Sequence, residues 1–190
     1  YYINRCFKEQ IKKYIIMKTI HNWFEEYSES HQNKMNKIIH WVCIPLIFWS
    51  IIALLSLIPH SSLDLFKNAF LNDIMHWGTV VILLGLIFYL RLSFKIFIGM
   101  MLFSLCVLIN IYYTIILFDI YGFFGLFKTL NNNVFLLYFS IIVFLFAWIL
   151  QFVGHKIEGK KPSFLKDIQF LLIGPAWLLA FVYDKLNIKY

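Results

Sequence analysis

Three histidines lie just outside the long apolar stretches of this chain: His31 and His40 ahead of the first, and His155 directly after the fourth. Imidazole nitrogen suits iron, zinc or copper. Histidines joined by a carboxylate and leaving open positions suit non-haem iron and dioxygen chemistry. Gln151, His155 and Glu158 are spaced i, i+4 and i+7. At about 100° per residue they fall within about 60° on one helix face. Asn36 and His40 are also i, i+4 and share a face. His31 and His40 are nine residues apart, roughly half a turn out of phase in a straight helix. Both reach one site only if the chain bends between them, and the polar run 32–36 can supply that bend. Glu158 is either the carboxylate ligand or a partner that orients an imidazole. The competing reading is that these histidines sit at an interface and hydrogen-bond lipid headgroups. Lys156, Lys160 and Lys161 offer charge to a headgroup or a substrate carboxylate, and equally serve as plain topology signals.

The elements that must position these residues are membrane helices. Of 190 residues, 61% are hydrophobic and 14% charged, against about 25% charged in soluble domains. Uncharged runs over 41–58, 74–90, 96–118 and 134–153 each approach the roughly 20 residues that span a hydrocarbon core. Backbone groups must be satisfied inside lipid, so each run is a helix. A further apolar run, 168–183, is interrupted by Gly174-Pro175 and is expected as a broken helix, re-entrant or fifth. The fold class is therefore all-α, a polytopic membrane bundle of four main spans plus a Gly-Pro-broken C-terminal helix. Pro45 is expected in the first turn or two of its span, where proline is best tolerated. Residues 1–16 have no long apolar core and read as an extension, and 17–190 as one integral membrane domain. Cys6, Cys43 and Cys106 have no paired spacing and imply no disulfide framework.

The net charge of +7 lies next to apolar spans and does not suggest nucleic acid. Lys18, Lys34, Lys37, Arg91, Lys95, Lys156, Lys160, Lys161 and Lys166 fall on one side of the expected topology, while the opposite loops hold only Lys67 and Lys128. Positively charged loops stay inside, so the amino terminus and the 154–167 segment are expected in the cytoplasm. His31, His40 and His155 share that side, and His60 and His76 fall on the other. His21, with Glu25 at i+4, reads as an ordinary surface pair. The Gly-rich aromatic run 121–127 is expected at the far interface, and Asn131-Asn132-Asn133 as a turn.

Two blocks carry a family likeness. The first, 27–45, holds Tyr27, His31, Asn36, Lys37, His40, Trp41 and Pro45. The second, 148–162, holds Trp148, Gln151, Phe152, Gly154, His155, Glu158, Gly159, Lys161 and Pro162, and continues to Gly174-Pro175. In order and spacing they resemble the 2-hydroxy fatty acid dioxygenase family. The likeness runs from about Met17 to the carboxy terminus, and between the blocks only hydropathy matches. Lys34-Met35 stands where many members have a proline after the Asn, and Ser163 where alanine is common after the Pro. The resemblance implies an Fe2+-dependent enzyme that uses dioxygen to shorten a 2-hydroxy fatty acid by one carbon, in α-oxidation. It implies His31, His40 and His155 as metal ligands. It matches Glu158 to the family's acidic position; beside it, the residue reading takes Asn36 and Gln151 as catalytic candidates and Lys156 and Lys161 as candidates to contact a substrate carboxylate. The implied location is the bacterial inner membrane in a prokaryote, or the endoplasmic reticulum in a eukaryote.

Two other classes compete. In a b-type haem protein, His40 and His155 on two helices would ligate one haem. A small transporter or scaffold predicts charges inside the spans or a midplane helix break; the four main spans carry neither, leaving only Gly174-Pro175. A di-iron hydroxylase needs about eight clustered histidines, and only six are present, unclustered.

Overall fold

The computed structural model describes residues 19–59, 75–121, 131–161 and 169–190. Among them the chain is all-helical: α1 Ile20–Ser28, α2 Lys34–Ser56, α3 Trp77–Leu92, α4 Phe94–Tyr121, α5 Asn132–Glu158 and α6 Phe170–Lys185. The 1–16 extension, His60, the loop residues 122–127 and Pro162 lie outside the described residues.

α1 starts where Thr19 and Asn22 form a reciprocal capping box. Its buried residues, Ile20, Trp23, Phe24 and Tyr27, recur at the 3–4 spacing of one amphipathic face. α2 starts at Lys34, well ahead of the uncharged run, because the Asn33 side chain accepts from the Met35 and Asn36 backbone N–H groups. That early start changes the setting of Pro45. It lies three turns inside α2 rather than in its first turns, and α2 continues through it. Asn131, expected in a turn, is the N-cap of α5 and accepts from Asn133 N–H. Gly159 closes α5 at φ +73°, a left-handed conformation that glycine adopts without a Cβ clash. α5 therefore ends on Glu158, and His155 is still helical.

α2, α4 and α5 are long and apolar enough to cross a membrane, and α3 is a shorter apolar helix. Only 17% of the most apolar window of α5 is buried within the protein. The rest presents residues such as Ile142, Phe146 and Ile149 outward. An apolar face of that extent suits a lipid surround rather than water.

α2 and α5 form the most extensive helix pair. Their seam uses small or compact residues, with Cys43, Ser50, Ser140, Ala147 and Gly154 all buried, which lets backbones approach closely. At one end of the bundle, α1 and α6 pack together with Ile44, Tyr89, Ile96 and Met100 in a single apolar cluster. The break expected at Gly174-Pro175 does not occur, and α6 is continuous from Phe170 to Lys185. Pro175 removes only the N–H that would reach Leu171, in the second turn of the helix. Its neighbours Ile173, Gly174, Ala176 and Trp177 are all buried, so packing holds the helix where its own ladder is weakest.

Candidate metal centre

The bend required between His31 and His40 is the connection between α1 and α2. α1 ends at Ser28. Ser30 and His31 then fold back, their N–H groups donating to the carbonyls of Tyr27 and Ser28, and Asn33 restarts the helix. His31 thus sits in the bend, His40 two turns into α2 and His155 in the last turn of α5. Their ring centroids are 4.3 Å (His31–His40), 5.0 Å (His31–His155) and 4.9 Å (His40–His155) apart, with interplanar angles of 83°, 73° and 85°. One ring nitrogen from each lies within 4.8 Å of the others. All three are buried, His31 and His40 to 1% exposure.

Hydrogen bonding fixes which nitrogens are offered. His31 Nδ1 lies 2.6 Å from the Tyr27 carbonyl, and His40 Nδ1 lies 2.8 Å from the Asn36 carbonyl. A carbonyl only accepts, so both Nδ1 atoms carry the proton and both Nε2 atoms keep a lone pair. His31 Nε2 and His155 Nδ1 are buried without a partner. Buried polar atoms are seldom left unsatisfied, and an ion among the three rings would satisfy them. Three metal–nitrogen bonds of about 2.1 Å to one ion set the nitrogens at most about 3.6 Å apart, so the rings need close by about an ångström. Burial, reinforced by His40, pushes His31 down to about 3. It is therefore neutral at physiological pH, the ligating form. Tyr27 stacks on His31 at 4.1 Å and 10°, and burial pushes its phenol upward.

Glu158 is not in the trio. Its Oε1 accepts from Gln32 N–H at 2.8 Å; its Oε2 accepts from Asn33 N–H at 2.8 Å and from Asn36 Nδ2 at 3.1 Å. Of the two roles left open for Glu158, ligand or orienting partner, the geometry fits the second indirectly: it grips the bend that carries His31 and the first turn of α2. Asn36 is fully buried and also donates to the Ser30 carbonyl at 3.1 Å. Gln151 lines the cavity beside the histidines. Lys156 and Lys161 are exposed and do not line it. Lys156 is one residue on from His155, about 100° around the helix, which turns it away from the site. Lys160 donates to the Glu29 carbonyl at 2.7 Å, a second tie between the end of α5 and the bend.

The cavity at the trio has a volume of about 70 Å³, and α6 supplies Phe170, Leu171, Gly174 and Pro175 to its wall. A Cβ on Gly174 would meet the Tyr27 hydroxyl at 3.1 Å and Ile44 Cδ1 at 3.3 Å. Glycine there lets α6 press against the site. Two neighbours had no role in the sequence reading. Tyr27 holds His31 by stacking and through its carbonyl. Trp177 lies 5.4 Å from His31 and donates from Nε1 to Ser28 Oγ at 2.9 Å. The i−4 spacing of Tyr27 to His31, repeated by Asn36 to His40, was the available signal. Of the remaining described histidines, His21 is exposed and stacks on Tyr190. His76 caps α3 by accepting from Thr79 N–H.

The arrangement offers three neutral nitrogen donors in a buried, mostly apolar pocket, and among the described residues the cluster contains no carboxylate. No curated protein and no solved structure matches the chain. A family profile described as 2-hydroxy-palmitic acid dioxygenase Mpo1-like matches residues 17–186. The chain that builds this three-histidine pocket belongs to the 2-hydroxy-palmitic acid dioxygenase Mpo1-like family.

Proposed function

We propose that this protein is an Fe2+-dependent dioxygenase that shortens 2-hydroxy fatty acids by one carbon, with His31, His40 and His155 as the metal ligands. The observation that carries this reading is three neutral imidazoles converging in a cavity that, among the described residues, no carboxylate lines. Three neutral donors would leave a divalent ion bound there its full charge, which would favour an anionic substrate beside it. A 2-hydroxy carboxylate brings two adjacent oxygens suited to that place. Iron, when bound, supplies the Lewis acidity and redox capacity that dioxygen chemistry needs. Overall, the 2-hydroxy acid and dioxygen give the shortened acid, carbon dioxide and water. The bond between the carboxyl carbon and C2 breaks, and the electrons removed from the substrate reduce oxygen.

The chain's own residues hold this geometry. The Tyr27 and Asn36 carbonyls fix two imidazole tautomers. Glu158 latches the bend bearing His31 onto α5, the helix bearing His155. Gln151 presents an amide to the cavity. Ile44, Ile47 and Phe48 exclude water from one side. A haem is disfavoured by size: 70 Å³ holds roughly five water-sized groups at about 10–15 Å³ each, far too few for a macrocycle.

The membrane setting belongs to the same reading. α2, α3, α4 and α5 cross the bilayer, with the amino terminus and the histidine end on the cytoplasmic side, as the Lys and Arg distribution favours. The acyl chain then lies in hydrocarbon while its head meets the site. The test is anaerobic purification, metal analysis, and product analysis after adding dioxygen and 2-hydroxypalmitate. One iron per chain and a product one carbon shorter are expected. Stoichiometric zinc with no oxygen uptake would overturn the assignment.

A further inference from the structure

A cavity of 70 Å³ holds the head of a 2-hydroxy acid and little more, so a long acyl tail must either widen it along its apolar wall or lie elsewhere. Two apolar spaces compete for the tail, a third of about 180 Å³ lying behind Ile44 and Pro175 between α2, α4 and α6. The larger is a groove of about 760 Å³ between α2, α4 and α5, to which α2 contributes Pro45, Leu46 and Trp49. The other is the histidine cavity itself, widened along its α2 wall of His40, Ile44, Ile47, Phe48 and Ile51.

Helix geometry decides between them. Taking His40 as 0° and about 100° per residue, the cavity residues of α2 occupy one stripe, from about −20° to 80°. Pro45, Leu46 and Trp49 lie between about 140° and 240°, on the opposite face. α5 repeats the pattern: Trp148, Gln151 and His155 share one face, while Phe135, Phe139 and Val143 of the groove lie on the other. The helix pair that carries the histidines therefore stands between the site and the large groove. From His40 to Ile51 the stripe descends about 16 Å. It is polar only at the histidine end, where Tyr27 and Gln151 join the imidazoles.

The exits from this slot differ as well. Toward α4, Ile44 and Pro175 form the wall between it and the separate 180 Å³ cavity, and Ile44 is only 6% exposed. Toward the bilayer it is flanked by α5 and α6, which scarcely touch among the described residues. Leu171 on α6 and Phe152 on α5 remain exposed along that gap.

We propose that the acyl tail runs down the α2 stripe from His40 to Ile51 and emerges into lipid between α5 and α6, with Ile51, Trp148 and Leu171 selecting chain length. This rests on the dioxygenase reading. A tail moving from lipid into an apolar slot gains no hydrophobic energy, because both surroundings are hydrocarbon. Selection is therefore by shape, and bulk at the far end of the slot rejects long chains.

The test compares Ile51→Trp with Leu46→Trp, which fills the opposite groove. For Ile51→Trp, the ratio of kcat/KM for 2-hydroxyhexadecanoate to that for 2-hydroxyhexanoate falls about tenfold or more, as overpacking a confined site does. For Leu46→Trp the ratio holds. An unchanged ratio in Ile51→Trp, or a fall confined to Leu46→Trp, overturns the proposal. A second arm needs no turnover: palmitate with a diazirine at its terminal carbon is photolysed with the wild-type protein in nanodiscs. Label on Ile51, Trp148 or Leu171 supports the slot, and label on Pro45, Leu46 or Trp49 refutes it. If the wild type consumes no 2-hydroxy acid, the dioxygenase reading fails, while the label still decides where an acyl tail lies.

Discussion

Replacing Glu158 separates a latch from a ligand. The carboxylate accepts three hydrogen bonds, from Gln32 N–H, Asn33 N–H and Asn36 Nδ2, and none of these donors is in the histidine trio. A buried bond to a charged group contributes about 1.5–3 kcal/mol. Glu158 is only half-buried, and screening discounts each bond, leaving about 2–3 kcal/mol for the set. Glu158→Gln keeps one acceptor oxygen but turns an amide donor toward a backbone N–H, so much of that is lost. The bend carrying His31 then spends less time docked. Apparent metal affinity falls in proportion to the docked fraction, by about 10–100-fold. The assay is Co2+ titration of the detergent-solubilised protein, following the d–d bands. A weaker midpoint with wild-type band positions at saturation is expected, since the ligand set is unchanged. Bands that shift at saturation would make Glu158 a ligand, and a midpoint equal to wild type would mean that the latch contributes nothing.

The other predictions follow from single contacts. His40→Ala removes one of three donors and should weaken Co2+ binding by more than the roughly 10–100-fold expected of an outer partner, with helical circular dichroism retained. Gly154→Ala places a Cβ against Asn36 Oδ1; the overpacking, about 1–3 kcal/mol, outweighs the gain of about 1 kcal/mol in helix propensity. A lower unfolding midpoint in detergent is expected. The metal-free protein should lose stability as pH falls. His31 sits near 3 in the folded chain and near 6.5 unfolded, so between those values the unfolded state binds the extra proton. Denaturation midpoints of the apoprotein should be level above about pH 6.5 and decline below it; a midpoint that rises on acidification would contradict the buried neutral imidazole.

Much of the architecture was legible because a bilayer leaves few choices. Uncharged runs of near-spanning length become helices, and the observed α2, α3, α4 and α5 each contain most of the run that predicted them. Boundaries were less legible, since side chains outside the apolar run decide them. Asn33 extends α2 back over Lys34 and Lys37, and Gly159 stops α5 just past Glu158. Pro175 misled because proline disrupts a lone helix, whereas here the buried neighbours of α6 keep it continuous. For the site, residue type and the required bend pointed to the three histidines. The carboxylate was harder: i+7 spacing puts Glu158 on the same face as Gln151 and His155, but one further turn also carries it past the trio to the N-terminus of α2.

That position has a physical logic. The start of α2 exposes backbone N–H groups and the positive end of the helix dipole, and a carboxylate is stabilised there by about 0.3–1 kcal/mol. Placed one turn nearer the bilayer centre, the same charge would face hydrocarbon or compete with substrate for the ion. At residue 158 it contacts two backbone N–H groups and one amide, fixes the His31 bend, and stays out of the cavity lining. The same i−4 device supports the histidine in the bend and the one on α2, with Tyr27 under His31 and Asn36 under His40, and Asn36 also touches Glu158. One residue thus joins a ligand's tautomer to the latch that positions another ligand. Asn36→Asp, which keeps the shape but sets a carboxylate against Glu158, should therefore weaken metal binding more than Glu158→Gln. Equal or stronger Co2+ binding by Asn36→Asp would show that the two devices act independently.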